Sequence, residues 1–191
     1  MVKDPGEDSY FLSEYVKKYA FGSVLDMGTG SGVQAEAAKQ NKQVKSILAV
    51  DVDKDAIHNV KKKGFNVRHS NLFSAIDPKE KFDFVIFNAP YMPDSDKGVS
   101  DHVSSLFKNS GGVYGYILLD KFLADAVNHM TPNGRVLIAC SSLIGDIEGL
   151  FKKYNLKYSK MGIKKLFFDE FWVYMAGFTA EDFPNKGDYP F

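Results

Sequence analysis

The residues with the clearest chemical character form a loop, Asn88-Ala89-Pro90-Tyr91, directly after the apolar run 82–87. An amide or aniline-like nitrogen is a poor nucleophile because its lone pair is delocalised, and it carries two N–H donors. The side-chain oxygen of Asn88 can accept one N–H and the backbone carbonyl of Ala89 the other, which favours the charge that develops in the transition state. Pro90 restricts the backbone, and Tyr91 can stack on a flat group. The loop predicts chemistry on a planar nitrogen, although Asn and Pro also favour plain turns.

A glycine-rich turn earlier in the chain predicts a ligand that the backbone approaches closely. Asp26 ends a strand-like run, and Gly28, Gly30 and Gly32 follow at alternate positions before a helical pattern. The spacing differs from the G-x-G-x-x-G of dinucleotide enzymes, and the Asp26 carboxylate would repel a pyrophosphate. The same carboxylate could accept a hydrogen bond from an ammonium group, which the methionine end of S-adenosyl-L-methionine carries.

A second acid, Asp51, closes the next strand-like run, where it can accept hydrogen bonds from both hydroxyls of a ribose. Its neighbour Val52 is also predicted to bind the ligand, whereas Asp53 is expected to cap the helix that follows. Asn71 and Leu72 come after the third strand-like run, where an adenine would lie. Each signal is weak alone, but their order on successive strands favours a nucleoside ligand.

S-adenosylmethionine is therefore the predicted cofactor, and in-line approach of the nitrogen to its sulfonium methyl would benefit from orientation by the loop. Asn88 belongs to both the catalytic and the cofactor-binding sets of predicted residues. No metal ligand is predicted.

Strand-like and helical patterns alternate over most of the chain. Strands are predicted at residues 22–27, 46–50, 65–69, 82–87, 135–140, 156–161 and 171–178, and helices at residues 33–39, 54–63, 113–130 and 144–154. The alternation predicts a doubly wound α/β fold with a mostly parallel seven-stranded sheet. The last two strands are joined by a short connection, which predicts an antiparallel hairpin at one edge.

No linker divides the chain, so residues 1–178 are predicted to form a single domain, in which 1–20 supply a helix that closes over the cofactor. The tail at 179–191 has no predicted role. The loop at 92–112 is unusually long and polar, and such loops are usually functional or disordered. Whether it acts as a substrate lid is left open.

The composition narrows the function classes. Hydrophobic residues make up 45% of the 191, which is typical of a globular protein, and no apolar run is long enough for a membrane span. The first residues lack the apolar core of a secretory signal. The single cysteine, Cys140, fits a reducing cytoplasm and is expected to be buried. Lys plus Arg and Asp plus Glu both number 24, so the chain has no global field for a polyanion, and nucleic acid is not predicted as a partner.

Together, the glycine turn, Asp51 and the Asn88 loop resemble the class I methyltransferases, of Rossmann-like fold, that carry an N-P-P-Y motif. Three further segments resemble the HemK-like group from archaea and eukaryotes. They are Pro5-Gly6-Glu7-Asp8-Ser9-Tyr10-Phe11-Leu12, which is similar to P-x-E-D-[ST]-F-L, Gly111-Gly112-Val113-Tyr114-Gly115, which is similar to G-G-x-x-G, and the basic-aromatic-acidic run 164–170.

The resemblance implies a protein-(glutamine-N5) methyltransferase that acts on the Gly-Gly-Gln loop of a class 1 translation termination (peptide chain release) factor. It also implies that Ser9 helps to hold the cofactor. A small zinc-binding activator subunit would pair with the sheet edge near residues 65–69. The bacterial branch has an extra N-terminal helical domain, for which this chain has no length. Ala89 departs from the family's proline but keeps the backbone carbonyl that accepts.

Two alternatives stay open. The same loop could serve an exocyclic amine, adenine N6 or guanine N2, of RNA or DNA, but the neutral charge and the lack of an added RNA-binding module argue against it. The chain could also be a non-catalytic scaffold that keeps the fold and the cofactor, and Ala89 is the only support for that interpretation.

Overall fold

The structure is a computed structural model that describes residues 5–89, 113–165, 170–179 and 183. Its strands are β1 (Gly22–Met27), β2 (Val44–Asp51), β3 (Asn66–His69), β4 (Phe82–Asn88), β5 (Met130–Ser141), β6 (Lys157–Lys165) and β7 (Glu170–Gly177). Its helices are α1 (Glu7–Tyr19), α2 (Val33–Lys39), α3 (Lys54–Lys62), α4 (Val113–His129) and α5 (Ile147–Lys153), with a short 3₁₀ helix at Ser142–Ile144.

All seven strands form one sheet in the order β3-β2-β1-β4-β5-β7-β6. The strands β1 to β5 pair in parallel, whereas β7 pairs antiparallel with both β5 and β6. β6 and β7 need no crossover helix because they follow each other directly and run in opposite directions. The structure confirms the predicted seven-stranded, mostly parallel sheet with an antiparallel hairpin at one edge.

Two apolar layers enclose the sheet because its strands alternate their side chains between the faces. Helices α1 and α2 cover one face, where Val24, Phe84 and Ile86 point. Helices α4 and α5 cover the other face, together with Leu25, Val85 and neighbouring strand residues. Helices on both faces of a largely parallel sheet are the doubly wound arrangement that the sequence predicts.

Three predicted elements differ from the structure by more than two residues at one end. The strand expected at 135–140 already begins at Met130, as β5, and a register shift against β4 takes up the extra residues. The helix expected at 144–154 is divided into the 3₁₀ helix and α5, because Gly145 at φ +100° interrupts it. Strand β6 continues to Lys165, beyond the predicted end at 161.

Helix α1 packs against β6 where this strand extends beyond its predicted end. A Cβ atom on Gly162 would lie 2.0 Å from the hydroxyl of Tyr15, so only glycine lets the helix lie this close to the strand. Tyr15, Leu12 and Val16 are fully buried there. Helix α1 lies within the segment 1–20, whose closure over the cofactor stays a prediction, and its first turn lies at the carboxyl edge of the sheet. The loop 92–112 lies outside the described residues, as does the tail except for Thr179 and Phe183.

Candidate active site

Three parallel strands end side by side at the carboxyl edge of the sheet. Met27, the last residue of β1, pairs with Val50 on one side and with Phe87 on the other. The next residues along β2 and β4 are Asp51 and Asn88, which therefore flank the start of the glycine turn. Open α/β sheets bind ligands at this edge.

The glycine turn adopts backbone angles that other residues avoid. Gly28, Gly30 and Gly32 have φ angles of +67°, +51° and +86°, all in the left-handed region. A Cβ atom on Gly30 would meet nothing closer than a backbone oxygen at 4.0 Å, so the outer side of the turn is open. A ligand can therefore approach the backbone here.

The buried side chain of Asp26 forms hydrogen bonds with the glycine turn and with the helix that follows it. Its Oδ2 accepts hydrogen bonds from the hydroxyl of Thr29 at 2.6 Å and from the backbone N–H of Ala35 at 3.1 Å. Burial raises the pKa of Asp26 to about 6, although these two bonds lower it, and the nearby charge of Asp51 adds to the rise. The carboxylate is still mostly ionised at neutral pH, and its contact with an ammonium group stays a prediction.

Asp51, at the end of β2, also forms a hydrogen bond with the glycine turn. Its Oδ2 accepts from the backbone N–H of Gly30 and its Oδ1 from that of Asp53, both at 2.8 Å. Each carboxylate oxygen keeps a second lone pair, which leaves room for two ribose hydroxyls. Asp53 accepts from the N–H of Asp55 and begins α3, which confirms the predicted helix cap.

Asn71 and Leu72, the residues predicted to contact the adenine, follow the end of β3, next to β2. The N–H of Ser70 donates to the carbonyl of Asp51 at 2.9 Å, which holds the segment 70–72 beside β2. Leu72 has φ +48°, a strained angle for a residue with a side chain. The Val52 side chain is 64% exposed and provides an apolar surface next to Asp51. Asn71 is also exposed.

Asn88, at the end of β4, combines a hydrogen bond to α1 with a buried oxygen. Its Nδ2 donates to the hydroxyl of Ser9 at 3.2 Å, so the structure brings these two predicted residues together. Its Oδ1 is buried and has no hydrogen-bond partner in the part of the chain that the structure describes. A buried acceptor without a donor is costly, which makes it a place where a ligand N–H would bind. The N–H of Ala89 donates to the Ala139 carbonyl at 3.0 Å.

Pro90 and Tyr91, the other half of the predicted catalytic loop, lie outside the described residues. One residue of the site was missed by sequence reasoning. Gln34 on α2 donates through Nε2 to the carbonyl of Ser9 at 2.9 Å and is 3% exposed. A polar residue on the buried side of a short helix that otherwise buries only alanines was the available signal.

The site fits the predicted cofactor. The open glycine turn can take the methionine end, the free lone pairs of Asp51 can take the ribose, and the exposed Val52 can pack against a flat ring.

The single cysteine is a core residue. Burial raises the pKa of the Cys140 thiol to about 12, so Cys140 is buried, as predicted, and is not a nucleophile. Among the described residues, no group of three or more His, Cys, Asp or Glu side chains could hold a metal ion, and no helix could span a membrane.

Residues 4–164 match the sequence model of the methyltransferase small domain. The chain belongs to this methyltransferase family. Among its relatives is a protein from Methanocaldococcus jannaschii named for protein N5-glutamine methyltransferase activity, 31% identical over 92% of this chain and 91% of that protein. A release factor glutamine methyltransferase from Rhodopirellula baltica is 26% identical over 75% of this chain, which spans about half (52%) of that longer protein.

Solved methyltransferase structures confirm the fold class. The E. cuniculi Mtq2–Trm112 complex, described as responsible for methylation of the eRF1 translation termination factor, matches with a TM-score of 0.70 and 22% identity, over 93% of this chain and 98% of that one. The T. thermophilus 16S rRNA N2 G1207 methyltransferase, in complex with AdoMet and guanosine, matches with a TM-score of 0.65 and 16% identity, over 91% of this chain and 43% of that one. At these identities the likeness extends to the fold, which serves both protein and RNA substrates.

Proposed function

We propose that this methyltransferase transfers the methyl group of S-adenosylmethionine to the side-chain nitrogen of a glutamine in a class 1 translation termination factor. The observation that carries the proposal is the buried Oδ1 of Asn88, an acceptor that lacks a donor beside a site suited to the cofactor. The names of the M. jannaschii and R. baltica relatives support glutamine as the acceptor. Such a factor acts on ribosomes, so the proposed location is the cytoplasm.

The bound cofactor supplies an electrophilic methyl group on a sulfonium. Asn88 Oδ1 accepts one N–H of the glutamine amide, and the carbonyl of Ala89 accepts the other. These two bonds hold the nitrogen in place and favour the positive charge that develops on it. No titrating base has to act first, because the proton can leave once the nitrogen has become cationic. Pro90 and Tyr91 would restrict the loop and stack on the amide.

The remaining predicted residues hold the cofactor. Asp51 accepts the ribose hydroxyls, and the glycine turn with Asp26 receives the methionine end. Ser9 contacts the cofactor from α1, which closes over it. Val52, Asn71 and Leu72 contact the adenine ring.

A small zinc-binding activator subunit is the proposed protein partner, and the edge of β3 is its proposed site. Among the described residues, β3 pairs only with β2, and no described strand covers its other edge. A shallow depression of about 240 Å³ lies at the start of β3, where Phe65 and Asn66 line it together with the first residues of β2. Backbone pairing at such an edge is a common way to bind a protein strand.

A transfer assay tests the function. Methyl-labelled S-adenosylmethionine is offered with a termination factor, with its Gln-to-Ala variant at the Gly-Gly-Gln loop, and with RNA, each in the presence and absence of the activator. We expect label on the intact factor alone. Label on RNA but not on the factor would contradict the proposal and favour the nucleic-acid alternative. Cofactor binding without transfer to any acceptor, with the activator present, would favour a scaffold.

A further inference from the structure

Three polar side chains link α2, α1 and β4 at the carboxyl edge of the sheet. Gln34 Nε2 donates to the backbone carbonyl of Ser9 at 2.9 Å, and Asn88 Nδ2 donates to the hydroxyl of the same serine at 3.2 Å. Ser9 is thus held on its backbone by the helix that follows the glycine turn, and on its side chain by the amide proposed to bind the substrate.

The bond from Gln34 exceeds what the helix itself needs. The carbonyl of Ser9 lies in the first turn of α1, where the helix supplies its own backbone donor. An amide oxygen turned toward that carbonyl would repel it, so the NH₂ group of Gln34 faces Ser9. The Gln34 Oε1 is then left buried, without a donor among the residues that the structure describes. A buried residue with an unsatisfied oxygen is a poor choice for stability alone.

Within the described part of the chain, the other contacts of α1 fix its first turn less firmly. Leu12 and Val16 are fully buried, but they anchor the middle of the helix. Near its start, the ion pair of Glu7 with Lys164 spans 3.1 Å, and the Glu7 side chain is 80% exposed, so this contact is weak. The position of Ser9 therefore depends on the buried glutamine of α2.

We propose that Gln34 is a positioning residue which, through Ser9, sets the orientation of the Asn88 amide. The proposal rests on the proposed function of Asn88. When Ser9 Oγ receives Nδ2, the other end of the amide, Oδ1, is directed to the acceptor nitrogen. Gln34 stands two residues after Gly32, so the helix that begins at the cofactor turn also aligns the group that binds the second substrate.

The first test needs no activity. Gln34→Met removes the donor but keeps an unbranched side chain of similar length, and Gln40→Met is the matched control. Gln40 is exposed, and its amide donates to the carbonyl of Glu36 within the same helical segment. The side-chain amide resonance of Asn88 is recorded in ¹⁵N-labelled protein and assigned by its loss in Asn88→Ala. We expect it to shift in Gln34→Met and to stay in place in Gln40→Met. An Asn88 resonance unchanged by Gln34→Met would overturn the proposal.

The second test uses methyl transfer to the termination factor. We expect Gln34→Met to lower kcat about tenfold, as misorientation of a reacting group does, and to raise KM for S-adenosylmethionine by a smaller factor, because Ser9 also contacts the cofactor. In the Ser9→Ala background, Gln34→Met should lower kcat no further, because the link to Asn88 is already broken. Independent, additive losses would refute the link through Ser9.

The two proposals fail separately. A wild-type protein that leaves the factor unlabelled refutes the proposed function, whereas the Asn88 resonance still tests Gln34. If Gln34→Met does not fold, as judged by its thermal transition, Gln34→Asn takes its place. Its amide is one methylene shorter and cannot reach Ser9, so the same shift of the Asn88 resonance is expected.

Discussion

Asp26→Asn should stabilise the folded protein while it weakens the cofactor site. The carboxylate is fully buried, and its pKa rises from an ordinary 3.8 to about 6 on folding. This difference corresponds to about 3 kcal/mol of unfavourable free energy for the ionised form. Asparagine has the same shape, and its Oδ1 can still accept from Thr29 and Ala35.

The sign of the effect follows from proton binding. Between pH 3.8 and about 6, the folded chain keeps a proton on Asp26 that the unfolded chain has released, so wild-type stability falls as the pH rises through this window. Above it the penalty is complete. The stability difference between Asp26→Asn and wild type should therefore grow through this range and reach up to about 3 kcal/mol at neutral pH.

The measurement is the free energy of unfolding in urea at several values between about pH 4.5 and pH 7.5. Asp83→Asn is the matched control. Burial raises the pKa of Asp83, but hydrogen bonds from Ser23 and Thr131 outweigh it and leave the pKa lowered. This substitution should destabilise the protein by an amount that stays nearly constant over this pH range, because Asp83 is ionised there in both the folded and the unfolded chain. If Asp26→Asn is no more stable than wild type at neutral pH, the buried charge is not the cost assigned to it.

Three further substitutions test the site and its support. Asn88→Ala should abolish methyl transfer and leave cofactor affinity within about twofold by calorimetry, since its role is to bind the acceptor; wild-type activity would remove Asn88 from the mechanism. Asp51→Ala should weaken cofactor binding by about 2–3 kcal/mol, through two lost charge-assisted bonds, and unchanged affinity would reject the ribose role. Gly162→Ala should lower the free energy of unfolding by about 1–3 kcal/mol, because its Cβ would clash with Tyr15; an unaffected thermal transition would show that α1 shifts at no cost.

Elements with strong local sequence signals were predicted correctly. The bounds of β1 and α2 agree with the prediction, because the glycines between them set a sharp turn that depends on backbone angles alone. The edge hairpin was predictable from a short connection between two strand patterns. In the site, Asn88 and Ser9 are 79 residues apart, and only the family resemblance brought Ser9 into the site beforehand.

The misses share a physical cause, which is contact between distant parts of the chain. Gln34 could be selected only after α1 was seen to lie against α2, since its partner is a backbone atom without a sequence signature. The early start of β5 depends on pairing with β4 across a register shift. The extension of β6 depends on pairing of Ile163, Lys164 and Lys165 with the start of β7.

The buried oxygen of Asn88 also defines which molecules the enzyme must refuse. A deamidated acceptor, with glutamate in place of glutamine, would present only lone pairs to an atom that can only accept. Sites built to hydrogen-bond a donor reject analogues that lack it by roughly 10⁴-fold or more. A singly methylated amide retains one N–H, so it cannot satisfy Asn88 Oδ1 and the Ala89 carbonyl together. If Asn88 Oδ1 and the Ala89 carbonyl bind the acceptor as proposed, the same pair of acceptors protects against damaged substrate and stops the reaction after one methyl group.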